Sequence, residues 1–107
     1  MEVSNPDVLL RLYVAGKLPG SKRALGNLTA FCQQHLPDCY RLEVIDVFEK
    51  PERALEDEVF ITPALVVLKP LPVRTVVGNL SDVAALEHLF AAEIQDVESR
   101  RKQMAAP

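Results

Sequence analysis

Tryptophan is missing from this chain, cysteine occurs twice and glycine four times in 107 residues. Each scarcity excludes something. Two cysteines cannot staple a small secreted scaffold, and Cys32 and Cys39 stand too far apart for the Cys-x-x-Cys spacing of a dithiol exchanger. The glycines fall in neither common phosphate-binding spacing, so no loop is built to cradle phosphates. Twelve basic residues stand against fifteen acidic ones, a net charge of −3, and no broad cationic field attracts a nucleic acid backbone. Long apolar runs are lacking too. The longest nearly uncharged stretch, residues 59–68, is far below the ~20 residues that cross a bilayer. The opening "MEVSNPDVLL" does not read as a secretory signal. A cytoplasmic protein with reduced thiols, no membrane span and no nucleic-acid partner is the expectation.

What is present is a globular composition, 49% hydrophobic and 25% charged. A chain of this length suits one domain that buries about two-thirds of its unfolded surface. The expected organisation is a single domain over 1–107, with a folded core at 7–97 and a flexible basic tail, "ESRRKQMAAP", at 98–107.

Residues 8–15 are apolar on both faces apart from Arg11, the pattern of a strand covered on both sides. Gly16, Pro19 and Gly20 end it. Ser21 is then placed to cap a helix whose inner stripe is Ala24, Leu25, Leu28, Phe31, Cys32, His35 and Leu36, stopped by Pro37. Residues 40–47, "YRLEVIDV", read as a second strand parallel to the first. Pro51 can open a helix of barely two turns, with Ala54, Leu55 and Val59 inward and Arg53, Glu56 and Asp57 in water. A helix so short depends on its surroundings. "ITPALVVL", "KPLP" and "VRTVVG" read as two strands joined by a proline-bearing turn, and Asn79 or Ser81 as the cap of a long helix with Val83, Leu86, Phe90, Ile94 and Val97 inside. The order is β-α-β-α-β-β-α, that of the thioredoxin fold.

Catalytic groups are hard to find on this frame. The loop "AGKLPGS" after the first strand has no thiol, so thioredoxin chemistry is excluded there. A metal half-site of Cys32, His35 and Cys39 lacks a fourth ligand and is interrupted by Pro37. No cofactor is expected. His35 reads as a core or boundary residue, His88 as solvated, and the acids around Glu52 and Glu56 as a wet face. A binding surface is the expected product of the scaffold.

Seven stretches in order, "LYVAG" (12–16), "RAL" (23–25), "VIDV" (44–47), Pro51, "TP" (62–63), "PVR" (72–74) and "G-x-LS" (78–81), resemble the KaiB family of circadian clock proteins. The resemblance implies a non-enzymatic regulator that binds the hexameric ATPase and autokinase KaiC and modulates its phosphorylation cycle or signalling output. KaiA-like proteins, or a histidine kinase that competes for the ATPase, are further implied partners. It also implies two folds: a thioredoxin-like monomer that binds the ATPase, and a resting homotetramer or dimer of order β-α-β-β-α-α-β, with the C-terminal half rearranged. Pro63, Pro70 and Pro72 fall in that half, and X–Pro bonds exchange isomers over ~10–100 s. The expected partner-binding residues are Arg23, Arg74 and Lys69 as cationic contacts, with Tyr13, Tyr40 and Asp46 supporting the sheet. Several positions depart from the family pattern. Pro70-Leu71-Pro72 replaces three prolines, Glu58, Val67 and Thr75 stand where basic residues are common, Asn79 replaces Asp, and "SRRKQ" replaces an acidic tail. These departures bear on the partner rather than the fold. The rival expectations are a stress-linked interaction protein of the same fold and a thioredoxin-fold oxidoreductase using Cys32 or Cys39.

Overall fold

The structure is a computed structural model that describes residues 6–105. Four strands form one sheet in the order β2-β1-β3-β4. Strand β1 (Val8–Val14) pairs in parallel with β2 (Tyr40–Asp46), Val8 opposite Tyr40 and Val14 opposite Asp46. On its other side β1 pairs antiparallel with β3 (Ala64–Lys69), Tyr13 opposite Ala64. Strand β4 (Arg74–Val77) closes the sheet beside β3. Helix α1 (Pro19–His35) connects β1 to β2, and α2 (Pro51–Glu56) lies between β2 and β3. Two helices, α3 (Val83–Leu89) and α4 (Ala91–Ala105), follow β4. The α/β order is therefore the expected thioredoxin-like one, with its last helix divided.

That division falls at Phe90, whose backbone leaves the helical region (φ −112°, ψ 24°). Its ring is fully buried, with a centroid 6.1 Å from that of Phe31. The chain bends at the residue driven deepest into the core. Beyond Val97 the helix runs on to Ala105, so residues 98–105 of the expected flexible basic tail are helical.

The helix starts differ from the sequence expectation in an instructive way. Pro19, with its fixed φ and no N–H to lose, opens α1 ahead of Ser21. Ser21 is thereby carried inside the helix, buried, where its Oγ accepts the Ala15 N–H at 3.0 Å and ties the helix to the end of β1. At α3 neither Asn79 nor Ser81 is the cap. Asp82 is, its Oδ1 accepting from Ala85 N at 3.1 Å, while the Asn79 Oδ1 accepts from Ser81 N at 3.1 Å in the preceding turn. Three inward assignments also fail: Leu25, Leu55 and Val83 are exposed at 36, 67 and 50%.

The two faces of the sheet are covered unequally. One face presents Val8, Leu10, Leu12, Leu65 and Val67 to Ala24, Leu28, Phe31, Cys32, Leu86 and Val97 of the three longer helices and to Phe90 at the break between two of them. Each fully buried leucine there contributes roughly 1.5–3 kcal/mol of transfer free energy. The other face presents Tyr13, Ile45, Ala64 and Val66 to little more than Ala54 and Val59 of the α2 segment.

Candidate partner-binding surface

On that thinly covered face, polar groups supplement the apolar contacts. Tyr13 is buried on β1, and its hydroxyl donates to Asp57 Oδ2 and lies 3.0 Å from the Arg53 carbonyl oxygen. Arg11 Nη1 donates to Asp57 Oδ2 at 3.1 Å, and its Nε donates to Glu43 Oε1 at 3.1 Å. Arg53 Nη2 completes the chain on the same Glu43 oxygen at 2.9 Å. Two strands are thus pinned to α2 by alternating charges. Burial and the Asp57 contact push the Tyr13 phenol up to about 12, and the hydrogen bonds from Arg53 and Arg11 hold the Glu43 carboxyl below its ordinary range. Asp57 and Arg53, expected in water, are half-buried members of this network. Nothing local in the sequence announces it, because Asp57 meets Arg11 across 46 positions.

Of the predicted site residues, Tyr13 is a fully buried anchor rather than a contact, and Tyr40 is half-buried against the main core. Asp46 is a loop clamp: its Oδ1 accepts from Gly16 N at 3.3 Å and from Phe48 N at 2.9 Å. Arg23 is exposed on α1, near the end of the sheet where β1 and β2 finish. Lys69 and Arg74 come together at the opposite end, flanking the β3–β4 turn. The three cations therefore do not form one patch. In the turn, Leu71 and Val73 are 77 and 55% exposed between the two cations, and Arg74 Nε is buried with no partner among the described residues. The Thr62–Pro63, Lys69–Pro70 and Leu71–Pro72 bonds are all cis.

The groups that catalysis would need are elsewhere or engaged. Cys32 and Cys39 are free and buried in the main core, and burial pushes the Cys32 thiol up to about 12 and raises that of Cys39. A thiol so held is a poor nucleophile. His35 is half-buried against the Phe31 ring, with centroids 4.7 Å apart, and His88 is exposed. A cleft of about 280 Å³ between β4 and α3 is lined by Val76, Leu80, Leu86 and Leu89, and its one carboxylate, Asp82, is occupied in capping α3. Among the described residues no group of three His, Cys, Asp or Glu side chains could hold a metal ion, and no helix is long and apolar enough to cross a membrane.

This is a thioredoxin-like fold without a reactive thiol at the usual end of the sheet. Solved structures agree on the fold: the N-terminal domain of SasA from Synechococcus elongatus matches with a TM-score of 0.69 at 20% identity, covering 90% of both chains. Mitochondrial thioredoxin 3 from Saccharomyces cerevisiae matches with a TM-score of 0.64 at 26% identity, covering 80% of this chain and 78% of that one. The KaiB domain family matches residues 11–92. A circadian clock oscillator protein KaiB from Gloeothece citriformis is 44% identical over 95 residues, 85% of this chain and 89% of that protein. KaiB from Synechococcus elongatus is 42% identical over 92 residues, 82% of this chain and 89% of its own length. The circadian clock protein KaiB3 of Synechocystis is 39% identical over 75 residues, 70% of this chain and 74% of that protein. The chain belongs to the KaiB family.

Proposed function

We propose that this protein is a non-enzymatic clock-type regulator that binds a KaiC-type hexameric ATPase and modulates its phosphorylation cycle or signalling output. The observation that carries the reading is the family match across residues 11–92 on a fold whose only two thiols are buried and raised in pKa. Binding, not turnover, is what such a surface offers. Lys69 and Arg74, with Leu71 and Val73 between them, supply one contact region of cationic ends around an apolar tip. Arg23 supplies a second, separate cation. Tyr13, Tyr40 and Asp46 act by holding the sheet and its loops in place. KaiA-like proteins or a histidine kinase sensor are proposed as competing partners in the cytoplasm. The resting state is proposed to be a homotetramer or dimer with the segment after Lys50, including Pro63, Pro70 and Pro72, rearranged.

Size-exclusion chromatography with light scattering, run on the protein alone and with a KaiC homologue plus ATP, tests this. A self-associated protein that dissociates and co-elutes with the hexamer is expected. A permanent monomer that ignores the ATPase would overturn the reading. Recovery from the native cell of a partner unrelated to RecA-like ATPases would transfer the scaffold to another pathway.

A further inference from the structure

Four large apolar side chains stand exposed at the end of the sheet remote from Lys69 and Arg74: Leu18 at 56%, Phe48 at 72%, Phe60 at 79% and Ile61 at 63%. The register places them together. Val14 is opposite Asp46 and Tyr13 opposite Ala64, so the loop after β1, the loop after β2 and the approach to β3 all meet at this end. Their presentation is built into the fold. Asp46 accepts the Gly16 and Phe48 N–H groups with one oxygen, and the Phe48 ring lies 3.6 Å from the place a Cβ on Gly16 would occupy. Gly16 has φ +56°, so the loop is shaped to carry the ring on its back. Exposed apolar clusters of this kind mark interaction sites far more often than isolated exposed leucines do.

Charge specifies the occupant. Lys17, Lys22 and Arg23 line the α1 shoulder, all exposed and with no ion pair among the described residues, and α1 contains no acidic residue at all. The α2 shoulder is mixed, Glu49 and Glu52 around Lys50. The positive charge is confined to the α1 shoulder, since Asp46, Glu49 and Glu52 outnumber Lys50 beside it, and a second copy seated α1 against α1 would meet like charge there. We propose that this end is a docking surface for a partner segment presenting bulky apolar side chains with carboxylates beside them, seated with its acidic edge on the α1 shoulder. It is a second contact region, separate from the β3–β4 turn, and it does not require the partner to be a KaiC-type ATPase.

The probe is a synthetic amphipathic peptide with a Leu/Phe face flanked by glutamates, titrated into the ¹⁵N-labelled full chain, beside a version with lysines in place of the glutamates. Shift changes confined to residues 16–23, 46–49 and 60–63 are expected, with at least tenfold weaker binding of the lysine peptide. Phe60→Ser with Ile61→Ser should abolish binding of both peptides, and Lys22→Glu with Arg23→Glu should reverse the preference between them. Changes at the β3–β4 turn, no binding, or equal binding of the two peptides would overturn the proposal. So would a mass in light scattering that rises with concentration and falls in the Phe60/Ile61 double variant, since a second copy would then own the surface. Failure of the unsubstituted chain to bind either peptide while it binds a KaiC homologue would sink this inference and spare the reading above. The reverse pattern, peptide recognition without ATPase binding, would do the opposite.

Discussion

The two faces of the sheet solve the same problem with different means. Beneath α1, α3 and α4, strands β1 and β3 bury leucines and valines at or near zero exposure, held by close packing that salt and pH leave alone. Beneath α2, a six-residue helix buries Ala54, Val59 adds a second contact, and Arg11, Glu43, Arg53, Asp57 and Tyr13 do the rest. A region held by few apolar contacts and partly exposed ion pairs opens at lower free energy than the global unfolding of its domain. One half of this protein is thus defined by volume and the other by charge.

Each face should fail in its own manner when a single side chain is removed. Leu12→Ala, on the well-covered face, should cost about 2–5 kcal/mol of global stability with no selective loosening of α2, as read by denaturant unfolding. Asp57→Ala should cost less, about 1.5–3 kcal/mol, because it frees the Arg11 guanidinium and the Tyr13 hydroxyl together. Its mark should be regional, with hydrogen exchange accelerating at residues 48–61 before it does in β1 or α1. If exchange rises uniformly, α2 is not a separate unit.

Titration sharpens the same contrast. The Tyr13 phenol is raised to about 12 in the folded chain, so its contribution is whole below its unfolded value near ~10 and is lost as pH climbs through 12. Glu43 is lowered, so its contribution is whole above the ordinary glutamate value of ~4.3 and fades as pH falls through the depressed one. Opening of residues 48–61 should therefore increase at both extremes. Glu43→Gln, at an exposed position, should cost only ~0.2–1 kcal/mol, and 1 M salt should mask most of that. The smallest expected effect is none at all: Cys32 and Cys39, on the volume-defined face, should ignore a disulfide reporter in the native protein and react only on unfolding. Rapid native labelling would place that face among the loosely held ones and reopen thiol chemistry.

The βαβ start of the fold was legible because apolar period, proline and glycine agree there on one answer. Caps were less so. Ser21 looked like a cap until the fixed φ of Pro19 moved the helix start ahead of it, and Asp82 was hidden behind two equally plausible residues, Asn79 and Ser81. The break at Phe90 left no trace in the periodicity, since its ring belongs to the same stripe whether or not the backbone bends. Asp57 was misread as solvated because its partners lie on β1, and no local rule connects residues so distant in sequence. Among the site residues, the types were readable and the grouping was not. Arg23 and Arg74 look alike in sequence, yet the register sends them to opposite ends of the sheet.

The body of the protein is about 25 Å across in two directions but 51 Å along the third. Past Val97, which is buried, α4 continues for ~12 Å at 1.5 Å per residue. That extension is moored at its root: Arg100 Nη2 lies 3.9 Å from Asp7 Oδ2, and Gln103 borders the same shallow cleft with Asp7 at the foot of β1. A fluorophore fixed at Gln103 would therefore report, through its rotational freedom, whatever settles on that foot of the sheet.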